Sequence, residues 1–153
     1  MKLFCYSVLL AIFASLSISH AQNPCDGSLW KHVWKPSRLS IIDSCRTVTG
    51  VIVQRIPVPD GDEHLRLRLD PGQPDLLNEQ NVKGEDSCLV LEIICHHIVL
   101  RPAARSYCKG CRNNVKVPKK GAHVRVTGTY VTDNEKHHGW REIHPVYSIE
   151  SIK

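Results

Sequence analysis

One short string sets the fold class. At 63–70 the chain reads EHLRLRLD, with Leu65, Leu67 and Leu69 at alternate positions and His64, Arg66, Arg68 and Asp70 between them. A two-residue period puts the leucines on one face of a strand and the polar side chains on the other; a helix would scatter both sets. A second alternating stretch lies at 123–133, where Val124, Val126, Gly128 and Tyr130 oppose His123, Arg125, Thr127 and Thr129. TVTGVIVQRI at 47–56 and CLVLEIICH at 88–96 are rich in β-branched and aliphatic residues and read as two more strands. WREIHPVYSI at 140–149 reads as the returning arm of a C-terminal hairpin, with Pro145 ending the strand at an edge.

Little of the chain reads as helix. Leu29, Trp30, Val33 and Trp34 have helical spacing, but Pro36 stops anything helical there. One more turn fits at 76–80. RLSIID at 38–43 is a lead-in strand, Gly50 predicts a bulge or tight bend, and PVPDGD at 57–62 is a turn. Residues 101–118 form a long irregular connector. The expected fold class is therefore all-β, a small five-stranded, partly closed barrel of OB-like arrangement with disulfide-pinned loops and little helix.

The N-terminus reads as a secretory signal. Lys2 precedes an apolar run at 8–16, and Ser19-His20-Ala21 is a small-x-small cleavage site. The run is shorter than the ~20 residues a bilayer needs. The expected organisation is a signal peptide at 1–21, a lead-in segment at 22–44 and the barrel at 45–153. The mature protein is expected to be secreted, with no transmembrane segment after signal removal. Signal removal takes Cys5 and leaves Cys25, Cys45, Cys88, Cys95, Cys108 and Cys111, an even count that favours disulfides in an exported chain. The competing reading is a zinc site at Cys108-Lys-Gly-Cys111 with His96 and His97 nearby, although no second matched pair is present.

Two sets of residues carry candidate chemistry. His64, Arg66 and Arg68 make a basic stripe suited to phosphate groups, and His138 and Trp140 add a loop imidazole and a stacking surface for a base or sugar. His64, Glu92, Glu142 and His144 make a tentative metal set. Glu142 and His144 are two apart and share a strand face, while Glu92 lies between Val90 and Ile94, where a charge needs a partner. Two imidazoles and one or two carboxylates suit a divalent metal such as zinc; the alternative is a buried ion-pair network. No catalytic residue is assigned. The net charge of +5 weakly favours acidic partners.

The string Pro36-Ser-Arg38-Leu39, Cys45, Val48-Thr-Gly50, Asp60-Gly-Asp62-Glu-His64, Glu92, Cys95, Cys108, Val124-x-Val-Thr-Gly128 and His138-Gly-Trp-Arg-Glu-Ile-His-Pro145 resembles a group of small, mostly uncharacterised exported OB-fold-like proteins. They end in a His-Gly-Trp-x-Glu-Ile-His-Pro segment. The resemblance runs from about residue 36 to 149 and implies a fold without implying an activity. Cys25, Cys88 and Cys111 look like additions to that pattern. The resemblance thereby implies Cys95–Cys108 as the preferred bridge, closing the connector, and the other pairings stay open. The expected function is an exported binding module for single-stranded nucleic acid or another anionic polymer. The alternatives are a metal-dependent hydrolase built on the His/Glu set, and a secreted interaction or inhibitor domain with a protein partner.

Overall fold

The computed structural model describes residues 24–25 and 27–153. The expected signal at 1–21, Cys5 within it, lies outside the described residues. The described β-structure comprises β1 (Leu39–Pro57), β2 (Glu63–Leu69), β3 (Leu89–Ile93), β4 (His123–Asp133) and β5 (Arg141–Ser151). Helix is limited to α1 (Glu79–Gly84) and short 3-10 turns, including Trp30–His32 and Pro36–Arg38.

The strands hydrogen-bond in the order β1-β2-β3-β5-β4, and β4 pairs back onto β1, so a single five-stranded sheet closes on itself. β1 is long enough to serve both sides, pairing with β2 from Gly50 onward and with β4 from Leu39 to Val51. The expected lead-in strand is thus continuous with the first main strand. Every pairing is antiparallel except β3 with β5, which is parallel over only Val90↔Glu142 and Leu91↔Ile143. Asn81 of α1 reinforces that short seam. Its buried amide donates to Cys88 O (3.0 Å) and Arg141 O (2.9 Å), and its oxygen accepts from Arg141 N (2.9 Å). Asn78 caps the helix through a reciprocal capping box with Asn81. The single turn expected at 76–80 is therefore displaced, because the capping asparagine sets the helix start.

Alternation places Leu65, Leu67, Val124, Val126 and Tyr130 in one core with Val48, Ile52, Leu89, Leu91, Ile93, Ile143 and Val146. A smaller cluster of Val33, Leu39, Ile94, Cys95 and Val131 closes one end, with Leu29 and Trp30 packed on it. β3 is buried on both faces, Glu92 included.

Three local expectations need correction. The register shifts of β1 fall at Ile41–Arg46 and Ile52–Gln54, away from Gly50. Gly50 is needed for close approach instead, since a Cβ there would lie 2.3 Å from the Arg68 carbonyl oxygen. Pro145 does not end a strand. It lies inside β5, where the pairing with β4 shifts register on either side of Gly128. Finally, Cys95–Cys108 and Cys25–Cys45 are bridged, but Cys88 and Cys111 are free thiols. Cys88 immediately precedes β3 while Cys111 packs at the Cys95 end of that strand. Five strand residues at ~3.3 Å each exceed the Cα separation of ~7 Å that a disulfide spans. With Cys108 bridged, the CxxC zinc reading also fails.

Gly128 yields a direct test of the β4–β5 contact. A Cβ there would meet Ile143 Cγ2 at 2.3 Å and the Pro145 carbonyl oxygen at 2.4 Å. Backbone on that side cannot rotate away, so Gly128→Ala is expected to cost about 1–3 kcal/mol through overpacking. An unchanged urea midpoint would show that the two strands part more easily than their spacing implies.

Candidate functional site

The register of β2 against β3 sets His64 directly opposite Glu92. Cross-strand partners lie within side-chain reach, and His64 Nε2 contacts Glu92 Oε1 at 3.1 Å. The other carboxylate oxygen of Glu92 faces His144 Nδ1 at 2.9 Å and Arg38 at 3.8 Å. On β5 the two-residue period works as expected, and His144 Nδ1 lies 3.0 Å from Glu142 Oε1. All four residues of the tentative metal set therefore meet.

They meet as part of a closed polar circuit. Trp140 Nε1 donates to Glu142 Oε2 at 2.8 Å, and the Trp140 indole stacks on His138 with centroids 4.0 Å apart. His138 Nδ1 contacts Asp133 Oδ2 at 2.7 Å, and the same oxygen accepts from Arg38. Arg38 returns the circuit to Glu92. Arg38, Asp62 and Asp133 were not singled out by sequence as site residues: two of them end or precede strands and the third reads as part of an Asp-Gly turn.

Burial controls the charge states. Burial opposes a charge on His144, but Glu92 and Glu142 outweigh it and raise its pKa to about 10. Burial likewise opposes His64, and the charge and hydrogen bond of Glu92 raise it to about 9. Both imidazoles are cationic at neutral pH. Burial disfavours ionised Glu92 too, yet His144 and His64 hold its carboxyl well below the ordinary range. Burial and the Glu92 charge push Glu142 upward. The same two effects push Asp62, which accepts from Cys95 N at 2.7 Å, up to about 7. One carboxylate thus anchors two imidazolium ions and a guanidinium.

All four oxygens of Glu92 and Glu142 already face N–H donors. Among the described residues, the one buried side-chain polar atom without a partner is His144 Nε2. His144 and Glu142 are sealed from solvent. The circuit is closed on the His144 and Glu142 side, while His64 and Glu92 line the cleft above it. The geometry favours a proton-linked network that fixes the register of β2, β3 and β5.

Above this circuit lies a cleft of about 340 Å³, lined by Trp34, Lys35, Arg38, Val58, Pro59, Asp60, His64, Glu92, Arg101, Glu135 and His138. The β1–β2 loop supplies Val58 to Asp60, and the β4–β5 loop supplies Glu135 and His138. Trp34 is half-buried at the mouth, with the Lys35 ammonium and the Arg101 guanidinium each 4.9 Å from its ring centroid. The expected basic stripe is redistributed. Arg66 is held by Glu85 at 2.8 Å and Asp86 at 2.6 Å, Arg68 is exposed, and only His64 reaches the cleft. Trp140 serves the circuit, while Trp34, Lys35 and Arg101 take the position at the cleft mouth.

No family model matches the chain, and no curated protein matches it significantly.

Proposed function

We propose that this chain is an exported OB-like barrel that binds single-stranded nucleic acid in the cleft between its β1–β2 and β4–β5 loops. The observation that carries the reading is the composition and position of the cleft. The outer face of strands two and three, with those two loops, is the usual binding surface of an OB-fold. Here that surface has an indole flanked by two cations, above an imidazolium, in a groove of about 340 Å³. An aromatic face takes a base, and the adjoining cations take its phosphates. The strand order and the return of β4 to β1 support the OB-like reading. Two disulfides support export, and no helix among the described residues is long and apolar enough to cross a membrane.

Fluorescence anisotropy with a labelled oligothymidylate tests this reading. Loss of one stacked base costs ~1–3 kcal/mol, so Trp34→Ala is expected to weaken binding about tenfold or more. Arg101→Ala is expected to weaken it in the same direction and to flatten its salt dependence. Arg66→Ala, whose guanidinium is already held by Glu85 and Asp86, is expected to change little. Absence of binding at low salt, or a loss in Arg66→Ala without one in Trp34→Ala, would remove the ligand from this cleft.

A further inference from the structure

Outside the cleft and the polar circuit, one cluster of ligating side chains has a geometry that neither explains. We propose that Glu63, His96 and His97 form a binding site for a divalent transition metal of the zinc type. The Oε2 atom of Glu63 faces His97 Nε2 at 3.1 Å and His96 Nε2 at 3.5 Å. One donor atom from each residue lies within 4.8 Å of the other two. Tetrahedral zinc with bonds of about 2.0–2.1 Å places neighbouring ligand atoms about 3.3 Å apart. The two measured separations bracket that value.

The supporting contacts aim the ligand atoms at one another, and His97 Nε2 and Glu63 Oε2 are hydrogen-bonded at 3.1 Å. Arg55 Nε donates to Glu63 Oε1 at 2.6 Å, so the buried carboxylate is oriented by one oxygen and presents the other to the imidazoles. His96 Nδ1 lies 3.1 Å from the Asn113 carbonyl oxygen. A carbonyl only accepts, so Nδ1 carries a proton and Nε2 is the ring atom that faces Glu63. An imidazole held by a backbone carbonyl and a carboxylate held by a second group are the outer contacts that orient metal ligands.

Local backbone makes the convergence possible. Consecutive residues on a strand point to opposite faces, so His96 and His97 could not share a ligand there. They follow β3 in a turn where Cys95 takes a positive φ of 52°. The turn is anchored by the Cys95–Cys108 bridge and by His97 N donating to Gly61 O at 2.7 Å. Glu63 and His64 are neighbours on β2 and point to opposite faces, which separates this cluster from the polar circuit. Clefts of about 320 and 460 Å³ both reach His96 and His97, so water or a small ligand has access to the remaining coordination positions.

The test uses the full chain, stripped with chelator and titrated with ZnCl2 by calorimetry. One zinc per chain is expected. His97→Ala and His96→Ala are each expected to weaken binding at least tenfold while keeping the thermal transition of the parent protein. In the unsubstituted protein, zinc should shift the imidazole NMR signals of His96 and His97 and leave those of His64 and His144 in place, a readout that needs no variant to fold. Three results would overturn the proposal: no saturable binding up to 100-fold excess zinc, shifts confined to other histidines, or binding lost in Cys111→Ser but kept in His97→Ala. The last would assign the metal to the free thiol that lines the same cleft.

Discussion

Glu92→Gln is expected to destabilise the protein by about 3–5 kcal/mol, the cost of removing one partner from a buried ion pair. That is a large part of the 5–15 kcal/mol that typically separates folded from unfolded chains. The substitution keeps the shape of the side chain and removes the one charge that faces His64, His144 and Arg38 together. Its pH dependence follows from the shifted groups. The two imidazoles have folded pKa values of about 9 and about 10 against an ordinary 6.5. Their contribution is complete below pH 6.5 and is lost as pH rises through the folded values. The Glu92 carboxyl is depressed from 4.5, so its contribution is complete above that value and is lost as pH falls. The gap between parent and variant is therefore widest between about pH 4.5 and 6.5 and narrows on both sides. Urea unfolding at pH 6 and pH 10 measures it. An equal gap at both would mean that the imidazoles are neutral in the folded protein.

Removing the second bridge, Cys95→Ala with Cys108→Ala, is expected to cost about 3 kcal/mol, since the closed loop is of the length for which chain entropy gives that value. Residues 95 and 108 are 13 apart in sequence. The loss should be local in character. Asn113 N donates to Cys95 O at 3.3 Å, and the connector between β3 and β4 has little regular structure of its own. Hydrogen exchange across residues 96–117 should accelerate, while β4 and β5 stay protected. Urea unfolding under oxidising conditions, with Cys25–Cys45 intact, gives the magnitude. An unchanged midpoint would place the stability of the connector in its contacts alone.

The strands were legible because alternation survives any tertiary context that has one wet face. EHLRLRLD kept its inward and outward sides, whereas in the arm from His123 to Asp133 only His123 and Arg125 of the expected outward set stay at the surface and Thr127 and Thr129 are buried. β3 was legible as a strand, but its two-sided burial was evident only as an unexplained charge at Glu92. Register is a different matter. Period says which face a residue takes, and nothing in it says that His64 stands opposite Glu92. The pairing of Glu142 with His144 was readable because both lie on one strand. The tie between that pair and His64 needed the sheet to close. Arg66 shows the opposite failure. Its basic stripe is cancelled by Glu85 and Asp86, which reach it only because α1 ends beside β2. The cleft mouth joins Trp34 to Arg101 across 67 positions, through segments without a period to read.

The order in which the strands leave the N-terminal side of the chain gives the parallel β3–β5 seam a meaning for assembly. β1 to β4 can pair among themselves while the chain is still incomplete, because β2 follows β1 directly and β4 also pairs with β1. Such an intermediate has β3 as an open edge, and Glu92 faces that edge without His144. The last strand delivers both the missing hydrogen bonds and the second imidazolium. The strand that closes the sheet is therefore also the one that completes the set of partners around Glu92. A chain cut short before residue 144 leaves β3 as an unpaired strand edge and Glu92 without its His144 contact, and an unpaired edge is what exposes a chain to aggregation.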